Sequence, residues 1–347
     1  MSQEDVLHSI RNMALASLEA WNLACTDIEV IKYRENAVFK IGTDDGMRFA
    51  LRVHRSGYHS DAELRSELEW IAALQASGIE VPTVIPTSSG ELFLRTVLPG
   101  TGETVQIDLF EWIDGVQLGS AEEGLGDNVA DIEHSYRTIG GIAARLHNHG
   151  VAWNLPPGFS RHAWDTEGLV GDAPFWGRFW ELEDLTQDQR TLVLQARDII
   201  RFELAAMAAS PDYASSYGLI HADFVPDNVM VSNGAVRLID FDDAGFGWHL
   251  FELATALYFI RDDPNFDVAF NALIAGYRQH RALPDVLLEK LPIFMMARGL
   301  TYLGWVHTRK NSDSARALTP FVIDLACEYA QPFVQRFRPV EEAASAG

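Results

Sequence analysis

The sequence predicts an α+β protein of two lobes: a β-rich N-terminal lobe over residues 1–112 and a mainly helical C-terminal lobe over 113–347. Three observations point there. Apolar and polar residues alternate between Ile28 and His54; apolar residues recur at helical spacing through Ile132, Tyr136, Ile139, Ile142 and Leu146; and the change of period falls after Gly115.

The N-terminal elements follow in order. Ile28 to Tyr33 and Val38 to Ile41 read as strands, Thr43-Asp44-Asp45-Gly46 as a turn, and Arg48 to His54 as the returning strand. Ser60 opens a helix, with Glu63 three residues on as a capping box, and Gly78 ends it before Val81-Pro82. Leu92 to Val97 and Val105 to Trp112 are further strands around a Pro99-Gly100 turn. The join near Trp112–Gly115 is expected to act as a hinge. Beyond it a core-facing helix is expected to end near His147. The helical remainder is interrupted between Leu219 and Phe241, where apolar runs flank Ser232-Asn233-Gly234, a hairpin signal. The Ala-rich tail from Glu341 is expected to fray.

The chain of 347 residues is 48% hydrophobic and 22% charged, enough to bury a core without staples. Its two cysteines, Cys25 and Cys327, lie far apart with no CxxC pattern, so neither a disulfide framework nor a zinc site is expected. The acidic start, MSQEDV, and the lack of an apolar run of about 20 residues predict neither secretion nor membrane insertion, and a cytoplasmic location. A formal charge of −22 argues against binding nucleic acid, which needs clustered Lys and Arg. It is read first as serving solubility, with attraction of a cationic substrate as the alternative.

The chemistry lies in His221-Ala222-Asp223-Phe224-Val225-Pro226-Asp227-Asn228 and Leu238-Ile239-Asp240-Phe241-Asp242-Asp243. The first matches the order of a kinase catalytic loop, H-R-D-x-x-x-x-N, in which the Asp accepts a hydroxyl proton and the Asn five residues later holds Mg²⁺. Asp240, across the Asn233-Gly234 turn, is placed to supply the second metal ligand. Phosphoryl transfer needs such residues because its transition state carries charge on oxygens, so catalysis is positioning plus electrostatic stabilisation. Hard oxygen donors suit Mg²⁺.

On these motifs the chain resembles the aminoglycoside phosphotransferase and choline kinase superfamily, including its homoserine-kinase-like and stress-response-kinase-like branches, from about Asn36 to Arg309. The resemblance implies a protein-kinase-like two-lobed fold, ATP and Mg²⁺, Asp223 as catalytic base, Asn228 and Asp240 as metal ligands, and His221 as a structural loop residue.

The N-terminal lobe agrees. Phe49-Ala50-Leu51-Arg52 lines up with the V-A-I-K strand of kinases. Alternation puts Ala50, against adenine, and Arg52, toward the phosphates, on one face. Arg stands where the family usually has Lys, and a plain surface Arg is the alternative. At 100° per residue Glu67 falls inside the apolar arc of Leu64, Leu68, Ile71 and Leu74 whereas Glu69 points away, so Glu67 is the expected partner of Arg52, with a solvated edge position as the alternative. The phosphate-covering loop is expected at Tyr33-Arg34-Glu35-Asn36-Ala37, with Asn36 capping phosphate and no G-x-G-x-x-G. Phe110-Glu111-Trp112-Ile113 is the adenine-hinge candidate, with Glu111 and Trp112 presenting backbone groups.

Three further features are read as packing. These are His147 with His149, Gly140-Gly141, and the tryptophans Trp153, Trp164, Trp176 and Trp180, for which a cation-binding aromatic wall is the alternative. Late in the chain Arg298, Tyr302 and Trp305 stand four and three residues apart and, with Asp242, are assigned to the acceptor site, Arg298 facing an acceptor carboxylate.

The reading is an ATP-dependent phosphotransferase acting on a hydroxyl of a small molecule: an amino alcohol, a hydroxy amino acid or an aminoglycoside-like compound. The alternatives are a protein Ser/Thr kinase of the stress-response type, disfavoured by the short run from Asp240 to the helix near Trp248, and a nucleotide-binding pseudokinase. A homodimer is a further open expectation.

Overall fold

The computed structural model describes residues 3–33, 36–119 and 124–337. Its early elements are α1 (Gln3–Ser17), β1 (Cys25–Tyr33), β2 (Asn36–Thr43), β3 (Arg48–His54), α2 (Asp61–Ala76), β4 (Leu94–Val97), β5 (Thr104–Glu111) and β6 (Val116–Gln117). Next come α3 (Val129–Ala152), β7 (Ala163–Trp164), α4 (Thr166–Val170), α5 (Gln187–Ala209), β8 (Tyr217–Ile220), β9 (Val229–Ser232), β10 (Ala235–Leu238) and β11 (Gly245–Trp248). The rest is helical: α6 (His249–Tyr258), α7 (Phe266–Arg278), α8 (Asp285–Leu288), α9 (Leu291–Thr308) and α10 (Asp313–Phe337). The chain divides into two compact units. The first comprises Met1–Gln117, Trp153–Arg161 and Asn228–Asp242; the second comprises Leu118–Ala152, His162–Asp227 and Asp243–Gly347.

The first unit is built on an antiparallel sheet in the order β1-β2-β3-β5-β4. Because side chains alternate, the odd-numbered residues Phe39, Ile41, Phe49, Leu51, Val53, Val105, Ile107 and Leu109 share one face. They form a core with Ile10, Met13 and Ala14 of α1 and with Leu18 and Trp21 just after it. The opposite face carries Arg52, His54, Gln106 and Asp108, all buried. Arg52 and Asp108 stand directly opposite in the β3–β5 ladder. The Ser60–Glu63 capping box starts α2 as expected, fixing the entry of a helix that buries Leu64, Leu68, Ile71, Leu74 and Glu67.

The expected hairpin is also present. β9 and β10 pair antiparallel, with Asn233 (φ 50°) and Gly234 (φ 79°) at the turn, the left-handed pair that a type I′ turn requires. Short β6 adds to this ladder through Val231 and Met230. Gly115, at φ 146°, precedes it so closely that a Cβ there would meet the Val231 carbonyl oxygen at 2.7 Å.

The second unit is helical apart from the sheet β7-β11-β8. Here α3 runs on to Ala152, past the expected end near His147: His147 is fully buried with its Nδ1 2.9 Å from the Tyr277 hydroxyl of α7, and Gly150 in the next turn lets the helix close on Leu219 of β8. Gly140 and Gly276 let α3 and α7 touch backbone to backbone: a Cβ on Gly140 would collide with the Leu273 carbonyl, and one on Gly276 with the Arg137 carbonyl. The Gly140-Gly141 pair therefore serves packing. Helix α9 is apolar nearly all round and correspondingly buried, Arg298 included. The tail from Glu341 lies outside the described residues.

Candidate active site

In the first unit Arg52 is held rather than free. Its Nε and Nη2 donate to the two carboxylate oxygens of Asp108 at 2.9 and 2.6 Å, and Nη2 also donates to Glu67 Oε1 at 2.8 Å. Its guanidinium lies 4.7 Å from the Phe110 ring centroid. The Arg52–Glu67 pair expected from helix geometry is present, with Asp108 as a second and bidentate partner. Burial pushes the Asp108 carboxyl up, but Arg52 and His54, whose Nε2 is 3.0 Å away, outweigh it and bring its pKa down to about 2. Ala50 lies on the same face as Arg52, half-buried.

A second cation joins this cluster. Arg161, on the segment of this unit contributed by Trp153–Arg161, reaches Glu67 Oε2 at 3.5 Å and donates to the carbonyls of Glu63 and Asp242 at 3.1 and 2.5 Å. It ties the α2 carboxylate to the backbone just after Asp240. Asp242 is itself buried, with His59 Nε2 at 3.5 Å and His54 Nδ1 at 3.9 Å from its Oδ1. Burial raises its carboxyl, yet His59, His54 and Arg52 lower it well below the usual carboxylate range; burial lowers His59, but Asp242 raises it overall.

Asn228 and Asp240 flank the β9–β10 hairpin, tied by the Ile239 N–H donating to the Asn228 carbonyl at 2.9 Å. Asn228 is buried. Asp240 lies just beyond β10 with φ 65°, a left-handed conformation that costs an L-residue about 1 kcal/mol or more. Lys32 Nζ lies 3.6 Å from its carboxylate, both side chains being partly exposed. One carboxylate and one amide oxygen are the hard donors a divalent cation takes when phosphate oxygens complete its shell. Among the described residues no cluster of three or more His, Cys, Asp or Glu forms a separate metal site.

Asn36, at the start of β2, is buried with its side-chain oxygen lacking a hydrogen bond, while Arg34 and Glu35 lie outside the described residues. At the hinge candidate the Glu111 N–H donates to the Thr83 carbonyl at 2.9 Å and the Trp112 N–H to the Arg48 carbonyl at 3.0 Å. Lys40 sits over the Trp112 ring.

In the second unit the decisive feature is Asp223. Its carboxylate Oδ1 accepts from Arg298 Nη2 at 2.7 Å, and Arg298 Nη1 donates to the Ala222 carbonyl at 3.1 Å. Tyr302 places its hydroxyl 2.6 Å from Arg298 Nη2. The guanidinium is 0% exposed, with the ring centroids of Tyr302, Trp176 and Phe251 at 4.3, 4.9 and 5.6 Å, whereas the Asp223 side chain keeps 22% exposure. Ala222 is left-handed at φ 66°, and Glu252 of α6 accepts the backbone N–H groups of His221 and Ala222 at 2.8 and 2.6 Å. Burial lifts the Glu252 carboxyl above its ordinary range. Trp305, one turn beyond Tyr302, is half-buried with Arg309 over its ring.

Arg298 thus has no exposed surface to offer an acceptor and is turned to Asp223, while Tyr302, half-buried, bonds to the same guanidinium. Of the tryptophans, Trp164 and Trp176 pack edge to face at 5.2 Å, Arg197 covers Trp180, and Trp153 belongs to the first unit beside Phe159. Sequence reasoning missed Asp108, Arg161, His59 and Glu252. The available signal for Asp108 and Glu252 was a carboxylate flanked on both sides by apolar residues, Ile107 and Leu109 in β5 and Phe251 and Leu253 in α6.

The solved structure of a microcompartment-associated aminopropanol kinase is 30% identical, matches 94% of this chain and 98% of that one, and superposes with a TM-score of 0.80. An amicoumacin kinase in complex with AMP-PNP and Ca²⁺ shares the fold at 21% identity and TM-score 0.72, over 94% of this chain and 96% of that one. Homoserine kinase of Gluconobacter oxydans is 31% identical over 185 residues, 49% of this chain and 54% of that one. The sequence profile described as "Phosphotransferase enzyme family" matches residues 28–283, so the chain belongs to the phosphotransferase enzyme family and is a kinase of protein-kinase-like fold.

Proposed function

We propose that this kinase transfers the γ-phosphoryl of ATP to the hydroxyl of a small amino alcohol, with Asp223 as the base. The observation that carries the reading is the Asp223 carboxylate, partly exposed yet held at one oxygen by a fully buried Arg298, five residues before Asn228. The acceptor oxygen attacks the γ-phosphorus, the bond from that phosphorus to the β,γ-bridging oxygen breaks, ADP leaves, and the hydroxyl proton passes to Asp223. Asn228 and Asp240 are assigned to Mg²⁺, which when bound neutralises charge on the phosphate oxygens. In this reading residues 1–112 form the nucleotide-binding lobe and 113–347 the lobe of the catalytic loop and acceptor. Ala50 and the Glu111–Trp112 backbone carbonyls are assigned to adenine, the N–H groups there donating to the Thr83 and Arg48 carbonyls, while Asn36 and Arg52, ordered by Asp108 and Glu67, are assigned to phosphate.

An amino alcohol is preferred over a hydroxy acid for two reasons. The buried cation nearest the base is already neutralised by it, and the chain is acidic overall, at −22. The likeness to the aminopropanol kinase supports the same class. A hydroxy amino acid is the second reading, favoured by the likeness to homoserine kinase. A protein acceptor is disfavoured because only eight residues separate Asp240 from α6, too few for an activation segment.

The test is ADP release over a panel of amino alcohols, hydroxy amino acids, sugars and aminoglycosides with Mg²⁺ and ATP. Amino alcohols are expected to support turnover, and Asp223→Ala to abolish it while ATP still binds. Turnover confined to acceptors that carry a carboxylate would transfer the conclusion to the second reading.

A further inference from the structure

We infer that Arg298 is a positioning residue for the phosphoryl-transfer base, acting through Asp223, with Tyr302 fixing the guanidinium in turn; this rests on the proposed role of Asp223. Three features of the geometry carry it. The guanidinium is fully buried between aromatic rings, so it is out of reach of an acceptor in bulk solvent. Its fork is shared between Asp223 Oδ1 and the Ala222 carbonyl, so one side chain sets both the rotamer of the base and the left-handed backbone preceding it. Tyr302, one helical turn further along α9, puts its hydroxyl on the same Nη2.

The physical cost of this arrangement indicates what it is for. A guanidinium taken fully out of water is destabilising unless well paired, and an apolar residue of similar volume in an apolar helix serves packing as well or better. What an apolar residue cannot do is hold a carboxylate oxygen at 2.7 Å while drawing charge from it. Arg298 therefore favours the ionised form of the base and fixes the position of the oxygen it holds. The transition state of phosphoryl transfer is loose, so the hydroxyl proton leaves late and an oriented weak base suffices. The pairing also means that recognition of a substrate carboxylate falls to other residues. The titratable and charged groups around Asp223 and Arg298 are His221, whose Nδ1 lies 3.1 Å from the Asp223 N–H, with Glu252, Tyr302, Tyr258 and Asp243.

The experiment is the ADP-release assay with 1-amino-2-propanol and Mg²⁺-ATP. It is run on Asp223→Asn, Arg298→Gln, Arg298→Lys and Tyr302→Phe, with Tm recorded for each. No turnover of 1-amino-2-propanol by the wild type overturns the amino-alcohol reading alone, and the variants are then assayed with whichever acceptor of the panel the wild type turns over. Undiminished turnover in Asp223→Asn overturns the role of Asp223 and this inference with it. If Asp223→Asn is inactive, Arg298→Gln is expected to lower kcat about 100-fold with acceptor KM changed less than about threefold. The acid limb of its kcat profile should move to higher pH. Arg298→Lys should recover about tenfold of the loss, and Tyr302→Phe, which keeps the charge, should lower kcat about threefold to tenfold. A rise in acceptor KM with kcat intact makes Arg298 a substrate ligand and overturns the inference. A loss of kcat with an unmoved pH limb and no recovery by lysine marks a purely structural role and also overturns it.

Discussion

Glu252 holds Ala222 from below: its Oε2 accepts the Ala222 backbone N–H at 2.6 Å, while Oε1 accepts that of His221 at 2.8 Å. A helix side chain thus satisfies two consecutive backbone donors of the loop that carries Asp223. Glu252→Gln leaves one acceptor oxygen for two donors and strands a buried N–H, at about 1–3 kcal/mol. The expected result is a Tm lower by several degrees, faster hydrogen exchange at one of the two amides, and kcat reduced about tenfold.

Ala222 itself is the second test. At φ 66° an L-residue is strained by about 1–2 kcal/mol, a term glycine does not carry, although glycine is more costly to order from the unfolded chain. Ala222→Gly is therefore expected within about 1 kcal/mol of the wild type in urea unfolding. Ala222→Val, β-branched and in a fully buried position, is expected to lose about 3 kcal/mol.

Asp108 makes acid sensitivity predictable. Burial raises its carboxyl, Arg52 and His54 more than reverse this, and the folded pKa falls to about 2 from an ordinary 3.8. A depressed carboxyl stabilises the fold above its unfolded pKa. That contribution, about 2 kcal/mol, is intact above pH 3.8 and is lost as the pH falls toward 2. Urea titrations across this window should show a shallower slope in Asp108→Asn, which at neutral pH is less stable by about 3 kcal/mol because it weakens the neutralisation of buried Arg52.

The stacked pair His147 and His249, 4.1 Å apart, acts at higher pH. Burial pushes both pKa values well below 6.5, followed by the charge of Arg281 for His147 and by His147 and then Arg281 for His249. The unfolded chain binds these protons first, so stability falls as the pH drops below 6.5, by about 1.4 kcal/mol per pH unit for each histidine. Glu252, raised by burial, has the opposite sign above pH 4.5. The discriminating measurement is therefore a comparison: His249→Phe should lose less stability than the wild type between pH 6.5 and 5.

What could be read from the chain was what depends on local spacing. The capping box at Ser60, the Asn233-Gly234 turn, and the inward direction of Glu67 each follow from residues within one or two turns of one another. The partner of Arg52 was only half legible. Glu67 is 15 residues away on the next helix, but Asp108 is 56 away and meets Arg52 through a cross-strand register that no local pattern encodes. Arg161 was hidden for the same reason, 94 residues from Glu67. Arg298 was noticed for its spacing to Tyr302, yet the direction of its charge, inward to Asp223, is a consequence of how α9 is buried and not of that spacing.

The way the first unit is assembled bears on its synthesis. Its sheet lies within the first 117 residues, but Arg161, which pairs with Glu67, and Asp242, which meets His59, come much later in the chain. A nascent chain leaving the ribosome amino end first therefore holds Glu67 and His59 without these partners until about 125 further residues have been made, at rates of about 5–20 residues per second. For that interval, of the order of ten seconds, the charged face of the sheet lacks these partners, and the last residues to complete it belong to the same stretch that carries Asn228 and Asp240.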